Sequence, residues 1–279
     1  MSQTPPPELV ETQRGTVNAW QCDYNHHLNF QFYCREFDLA ARFLALASGA
    51  DPAGPLPATR HLRFHTELLA GDIYTIDSAR IVDGPHAGAL VHWMSHGGTG
   101  KLVATALDGG APGFACPEVP EAAVASALPR SVDVAEGAIP LAGMAGDGWQ
   151  ATSRGWVTME RCTAAGELTE QHLAAMLGDA AGHAWERAGV GVVTVREKGL
   201  GRIAVEAKLS HFAPARVGDA LLLHSRVGPA QGKSIRLQHH LHRMPDGAPI
   251  ARADVTALLI DMKTRKTVAL SEVIEAQAS

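Results

Sequence analysis

Apolar positions along this chain follow two spacings, one typical of a helix and one typical of strands. From about Leu28 to Ala47 they lie around most of the circumference of a helix, as Phe37, Phe43 and Leu44 illustrate. A helix that is apolar on so many sides must be wrapped by other elements. Gly49 and the prolines that follow it end the helix. Strands are predicted at about 15–22, 60–69, 73–82, 87–96 and 101–108.

The chain repeats itself at an offset of 140 residues. When residues 14–49 are aligned without a gap on residues 154–189, nine of the 36 pairs are identical, Cys22/Cys162 and Leu28/Leu168 among them. Two later landmarks keep their order: 71–72 matches 218–219, and 105–107 is matched with 256–258. We interpret this pattern as a tandem duplication. The second copy is predicted to contain a helix near 168–187 and strands near 191–197, 203–211, 219–228, 233–243 and 250–261.

The two copies define the domain organisation. Residues 109–150 are rich in Gly, Ala and Pro and show no sustained period, which predicts a linker with one short helix around 121–127. The predicted domains are therefore 1–108 and 151–279, joined by the linker 109–150. Each combines one long buried helix with an antiparallel sheet that wraps it, which makes the fold class α+β.

Composition and charge limit the kinds of partner that we expect for this protein. The 279 residues are 46% hydrophobic and 19% charged, with a formal net charge of -5, which is typical of a globular protein. No basic stripe favours a nucleic-acid partner. No apolar stretch approaches the roughly 20 residues of a membrane span, and the start of the chain lacks a signal-peptide pattern. We therefore expect no nucleic acid, no membrane and a cytoplasmic location.

Neither metals nor cofactors are expected. The four cysteines have no metal-ligand spacing and no disulfide framework. In the strand predicted at 233–243, His240 and His242 alternate with apolar residues, and we interpret their side as a wet strand face rather than a metal site. No glycine-rich phosphate loop is present, so no nucleotide cofactor is predicted. Scattered basic residues, Arg60 and Arg63 among them, are interpreted as surface charge.

The segment between the first strand and the helix carries the candidate chemistry. It places polar side chains at alternate positions, as Asp23, Asn25, His27 and Asn29. Hydrolysis of a thioester needs a base or a nucleophilic carboxylate, and donors that stabilise an oxyanion. Asp23 can serve as the carboxylate, Asn25 and His27 can assist it, and N–H groups at the helix start can polarise the carbonyl. Helix capping alone would account for one of these residues, not four.

These residues resemble the hotdog superfamily, most closely its 4-hydroxybenzoyl-CoA and acyl-ACP thioesterase branch. That branch carries a D-x-N-x-H-x-N type signature in the same strand-to-helix loop, although His26 stands where a Gly is usual. With two copies, the chain resembles a double-hotdog acyl-CoA thioesterase. The resemblance implies Asp23, Asn25 and His27 as catalytic residues, with Asn29 and Tyr33 binding the substrate. It also makes a homodimer of double hotdogs plausible.

The second copy lacks the signature. Thr163, Ala165, Glu167 and Thr169 occupy the matching positions. The resemblance therefore implies two unequal sites, of which the first-half loop forms the live one. Glu167 and the helical Asp179 define a second candidate site, because other hotdog thioesterases use a carboxylate on the central helix.

Three functions remain open. The preferred hypothesis is an acyl-thioester hydrolase that cleaves an acyl-CoA, in preference to an acyl-ACP, to the free acid and the thiol. An enoyl-CoA hydratase of the MaoC-like branch is the alternative, since its D-x-N-P-x-H loop also contains an Asp, an Asn and a His. The third hypothesis is a non-catalytic acyl-CoA-binding protein.

Overall fold

The computed structural model describes residues 4–132, 137–146, 148–228 and 232–273. These residues form two compact units, Met1–Arg130 and Ser131–Ser279. The segment 109–150, predicted as a linker, is divided between the units. It contains the end of one strand, the two-residue strand Glu118–Val119, the start of a third strand and two short 3-10 helices, Glu121–Val124 and Leu141–Met144. Within the described ranges no helix is long and apolar enough to cross a membrane.

Unit 1 is an antiparallel sheet of five strands that packs on one helix, with a short sixth strand parallel to β3. Its elements are β1 (Val10–Thr16), α1 (Phe30–Ala47), β2 (Thr59–Phe64), β3 (Ile73–Ile81), β4 (Leu90–His96), β5 (Leu102–Gly109) and β6 (Glu118–Val119). The strand order is β1-β3-β4-β5-β2, and β6 pairs with β3. A 3-10 turn at Ala19–Gln21 precedes the loop that leads into α1.

Unit 2 repeats this arrangement. Its elements are β7 (Gln150–Trp156), α2 (Glu170–Arg187), α3 (Val192–Glu197), β8 (Leu200–His211), β9 (Ala220–Val227), β10 (Ser234–Met244), β11 (Pro249–Asp261) and β12 (Thr267–Val268). The strand order is β8-β11-β10-β9-β7, with β12 beside β11. The strand predicted at 191–197 was wrong. The β-branched run there forms α3, because Val195 is buried against Val190 and Trp185, so tertiary packing overrides propensity.

The duplication is visible in the register of the elements. β1 and β7, and likewise α1 and α2, begin 140 residues apart. Beyond the helices the offset is 147, since His65 N–H bonds Val103 O as Phe212 N–H bonds Ile250 O. The match of 105–107 with 256–258 was therefore wrong.

Helix α1 is buried along one side rather than all round. Phe37 and Leu44 are fully enclosed, whereas Phe43 is 47% and Leu46 57% exposed. The buried side contacts β1, β3 and β4. Gly49 adopts a φ of 71°, the left-handed conformation expected after a helix end. We call the side of each sheet that faces its long helix the inner face, and the opposite side the outer face.

Arg60, predicted as surface charge, is buried, and so are two histidines predicted on a wet strand face. Arg60 and Asp108 form a bidentate pair on the inner face of unit 1, with N···O distances of 2.7 and 2.6 Å. Their side chains are 0% and 1% exposed. The predicted wet face of β10 is also wrong, because His240 and His242 are completely buried. A strand pattern shows which residues share a face, but not whether another segment covers that face.

Candidate active site

The loop from Cys22 to Asn29 is closed by its own backbone. Asp23 N–H donates to His27 O at 2.8 Å, and His26 N–H donates to Asp23 O at 3.0 Å. This tight turn requires a left-handed residue, and His26 takes a φ of 65°. Gly166, at the matching position of the second copy, takes a φ of 74°. The glycine that is usual in this loop is thus explained by backbone geometry.

Asp23 is anchored by one oxygen only. Its Oδ1 accepts hydrogen bonds from Asn25 N at 2.8 Å and from His27 N at 3.3 Å. Its Oδ2 has no hydrogen-bond partner in the part of the chain that the structure describes, and the side chain is half-buried. One carboxylate oxygen therefore fixes the orientation of the group, and the other is available to a substrate or a water molecule.

His27 is paired with a residue that the sequence did not indicate. Its Nε2 lies 3.2 Å from Glu67 Oε2. Leu28 N–H donates to Leu68 O at 2.8 Å, and His27 bridges to Leu69, so the segment after β2 is tied to the loop. Glu67 was predicted inside a strand, but β2 ends at Phe64. No local pattern could identify Glu67, because only this pairing across 40 residues brings it to His27.

Two predicted substrate-binding residues have structural contacts. Asn29 is the N-cap of α1, where its Oδ1 accepts from Gln31 N at 3.2 Å. Tyr33 is buried beneath the loop and packs edge-on against Phe64, with ring centroids 5.1 Å apart. Burial, and then the charges of Glu67 and Asp23, raise the pKa of Tyr33, which keeps the phenol protonated. Asn25 is also buried, at 8% exposure.

The thiol of Cys22 is unsuited to be a nucleophile. Burial raises its pKa, and the carboxylates of Asp23 and Asp72 raise it further. A thiol must lose its proton to attack a carbonyl, so the raised pKa disfavours Cys22 in this role. The carboxylate of Asp23 remains as the candidate nucleophile or base of the loop.

The start of α1 supplies a donor for an oxyanion. Phe30 is the first residue of the helix, and its N–H has no acceptor among the described residues. Asn29 caps the next N–H and leaves this one unused. The partial positive charge at a helix N-terminus adds to the attraction for a developing negative charge.

The second loop has the same backbone with different side chains. Thr163 N–H donates to Glu167 O at 2.8 Å, as Asp23 does to His27. Glu167 pairs with Arg216 at 2.7 Å near the surface. Asp179 lies elsewhere, on the exposed side of α2, where it lines an open groove with Arg154 and His183. The structure does not bring Glu167 and Asp179 together in one site.

Unit 2 has a buried carboxylate and imidazole that sequence analysis missed. Glu170, the first residue of α2, is fully buried, and its Oε1 lies 3.4 Å from His211 Nε2. The equivalent positions in unit 1 are Phe30 and Phe64, whose ring centroids are 5.9 Å apart. An aromatic pair beside the first loop is thus replaced by an ionisable pair beside the second.

Metal ligation finds no support among the described residues. They contain no group of three or more His, Cys, Asp or Glu side chains placed to hold a metal ion. The four cysteines are free thiols.

Solved structures show the same fold across most of the chain. A protein from Lactobacillus plantarum described provisionally as an oleoyl thioesterase has a TM-score of 0.62 at 12% identity, covering 89% of this chain and 95% of that chain. An acyl-ACP thioesterase from Bacteroides thetaiotaomicron has a TM-score of 0.61 at 9% identity, with coverages of 92% and 100%. The 12:0-ACP thioesterase from Umbellularia californica has a TM-score of 0.59 at 11% identity, with coverages of 90% and 94%.

Sequence comparison identifies the family. No curated protein matches the chain. The Thioesterase-like superfamily matches residues 17–111 and 157–278, one segment in each unit. Both segments include the loop and the long helix of their unit. The chain therefore belongs to the Thioesterase-like superfamily and has a double hotdog fold, and this membership supports thioester hydrolase activity.

Proposed function

We propose that this protein hydrolyses an acyl-CoA thioester at the loop of unit 1. The observation that carries the proposal is the hydrogen bonding of the Asp23 carboxylate. Its Oδ1 is fixed by two backbone N–H groups, its Oδ2 is available, and His27 of the same loop is oriented by Glu67. The second loop has no carboxylate at the position of Asp23, so we assign no hydrolysis to it.

The chemistry follows from these groups. Asp23 Oδ2 accepts a proton from water while the water oxygen bonds to the thioester carbonyl carbon. The oxyanion that forms is stabilised by Phe30 N–H at the start of α1. When the carbonyl forms again, the C–S bond breaks, and the proton held by the carboxyl group passes to the departing sulfur. His27 holds the water in place through its ring, which Glu67 orients.

We favour coenzyme A over an acyl-carrier protein because it requires fewer binding features. Coenzyme A and acyl-carrier proteins present the thiol on the same phosphopantetheine arm, and a CoA ester needs no protein docking surface. Two of the solved structures with this fold are named as ACP thioesterases, so an acyl-ACP is the competing substrate.

A hydratase shares part of the loop pattern, but the backbone disfavours it. The D-x-N-P-x-H pattern places a proline directly after the Asn, at the position of His26. Proline is restricted to a φ near −65°. His26 has a φ of 65°, so this loop conformation is closed to proline.

The test is a panel of saturated and trans-2-enoyl-CoA esters, with matched acyl-ACPs, assayed for thiol release and for loss of the enoyl absorbance. We expect thiol release from saturated acyl-CoA, and a loss of about 10²–10⁴-fold in kcat for Asp23→Asn. Enoyl loss without thiol release would establish a hydratase. Binding of acyl-CoA without either signal would establish a binding protein.

A further inference from the structure

The outer face of unit 2 carries buried polar or ionisable side chains at several positions where that of unit 1 is apolar. In unit 1, Val91 and Trp93 belong to an outer cluster with Leu9, Ala79 and Leu107. The equivalent residues of unit 2 lie 140 positions later before the long helix and 147 positions later after it. In the order in which the unit 1 residues are named above, they are Gln238, His240, Trp149, Arg226 and Asp254. Burial of ionisable groups costs stability unless they are paired.

Three histidines lie together on this face. His240 stands opposite His224 of β9 and two residues before His242 on the same strand. The ring centroids are 6.1 Å apart for His240 and His242, and 6.1 Å for His224 and His242. Both ring nitrogens of His240, and Nδ1 of His224 and of His242, have no hydrogen-bond partner within the described residues. The cluster therefore accommodates neutral imidazoles at the expense of unsatisfied polar atoms.

A segment before β7 covers these histidines. We call residues 137–146 together with Trp149 the outer strap. His242 Nε2 donates to Ile139 O at 2.8 Å. Trp149 packs edge-on against His240 with centroids 5.0 Å apart, and Met144 is buried. The contacts to two of the three histidines thus hold the strap on the sheet.

The charges around the cluster are mainly cationic. Arg226 of β9 lies 4.5 Å over the Trp149 ring and donates to Gln238. Arg252 of β11 stands opposite His240 and pairs with Asp254 at 2.6 Å. Gln238 donates to the same carboxylate. Two guanidinium groups and one carboxylate face the histidines, so an added imidazolium would meet net repulsion.

We propose that the histidine cluster is an acid-sensitive latch, in which protonation of His240 releases the outer strap from the sheet of unit 2. A protonated ring in this closed, cationic site has no carboxylate of its own to pair with. Opening gives the rings access to water, which hydrates their charge.

The direction follows from linkage. Burial, and then the charges of Arg252 and His242, lower the pKa of His240 from 6.5 to about 4. Burial and His242 also lower the pKa of His224. The closed strap thus binds fewer protons than the open one, so acid favours opening below pH 6.5 until the closed-state pKa is reached. For His240 alone, the opening constant rises roughly fifty-fold between pH 7 and pH 4.5.

The test is hydrogen–deuterium exchange of the full chain between pH 7 and pH 4.5, corrected for intrinsic exchange rates. Peptides that cover 137–146 should show a rise in opening of about fifty-fold or more. Peptides that cover 118–127, which pack on the outer cluster of unit 1 through Val119, Val124 and Ala127, should stay protected. His240→Phe with His242→Gln keeps the ring shape and the donor to Ile139 O but removes the titration. This double variant should lose the rise, whereas His183→Gln, on the exposed side of α2, should retain it.

Three results would overturn the latch. They are a strap that opens equally at both pH values, a double variant that still opens in acid, and opening of 137–146 together with the β9, β10 and β11 peptides, which would indicate unfolding of unit 2. Retained protection of the β9, β10 and β11 peptides in the double variant shows that unit 2 is folded.

Discussion

The loops that lead into α1 and α2 close with the same hydrogen bonds and carry different side chains. Both have an N-cap, Asn29 or Thr169, and both have a left-handed residue, His26 or Gly166. The carboxylate of Asp23 is present in the first loop only. The fold therefore requires the caps and the turn, and it does not require the acid. What distinguishes the first loop is its chemistry.

The inner faces of the two sheets likewise share one set of contacts and differ in another. Thr12, Ser78 and His92 form a hydrogen-bonded chain in unit 1, with both contacts at 2.7 Å. Unit 2 repeats it with Thr152, Ser225 and His239, also at 2.7 Å. The shared chain is part of the architecture. In contrast, the ion pair of Arg60 and Asp108 in unit 1 corresponds to Ala207 and Val255 in unit 2.

The largest effect is expected from breaking that ion pair. Asp108→Ala leaves the Arg60 guanidinium buried without its counter-ion, which should destabilise unit 1 by about 3–5 kcal/mol. Urea unfolding monitored by hydrogen exchange of unit 1 peptides measures it. The double change Arg60→Ala with Asp108→Val copies unit 2 and should restore most of the stability. A double variant as unstable as the single one would contradict this explanation.

The same pair gives a pH dependence. Burial alone would raise the pKa of Asp108, but the charge and hydrogen bonds of Arg60, with His92, lower it overall. The pair's contribution is therefore present above the ordinary carboxyl pKa near 4, and it is lost as the pH falls below that value. The copied Ala–Val pair should remove this acid dependence from unit 1.

The next effect compares the two loops directly. His27→Gln should lower kcat by about 10²-fold, because a positioned acid–base group contributes at least that much. The matched change in the second loop, Glu167→Gln, should leave kcat within experimental error. Steady-state assays on the best acyl-CoA measure both. A comparable loss in Glu167→Gln would show that the second loop takes part in the reaction.

Sequence predicted the fold well where elements are long and repeated. The 140-residue register identified both long helices and the loops before them. The sequence pattern did not predict α3, because the run Val192–Val195 has the composition of a strand and only its packing makes it helical. It also misplaced the surroundings of Arg60 and His240, because coverage of a sheet face depends on segments distant in sequence.

The candidate site was predictable only where it is local. Asp23, Asn25 and His27 share one short loop, so their alternation is visible in the sequence. Glu67 and the pair of Glu170 with His211 depend on how a strand end meets a helix start. That register is set by tertiary hydrogen bonds such as Leu28 N–H to Leu68 O, which no local pattern encodes.

Loss of the helix N-cap should have a smaller effect, which should be equal in the two units. Asn29→Ala and Thr169→Ala each remove an N-cap and should cost about 1 kcal/mol, measured by exchange of the α1 and α2 peptides. Asn29→Asp keeps the cap and therefore separates stability from substrate binding. If this variant is stable but has a raised KM, then Asn29 also contacts the substrate.

The smallest effect concerns the turn that both loops share. A side chain in the left-handed region costs roughly 1 kcal/mol, and His26 pays it in the first loop. His26→Gly should therefore stabilise unit 1 by about 0.5–1 kcal/mol, whereas Gly166→His should destabilise unit 2 by a similar amount. A Cβ at Gly166 would meet only Val217 Cγ2, at 3.7 Å, so backbone strain rather than crowding decides the sign. Urea midpoints followed unit by unit measure both changes. If His26→Gly gains stability but loses kcat, the strained histidine serves the reaction, and the difference between the loops extends to their backbone.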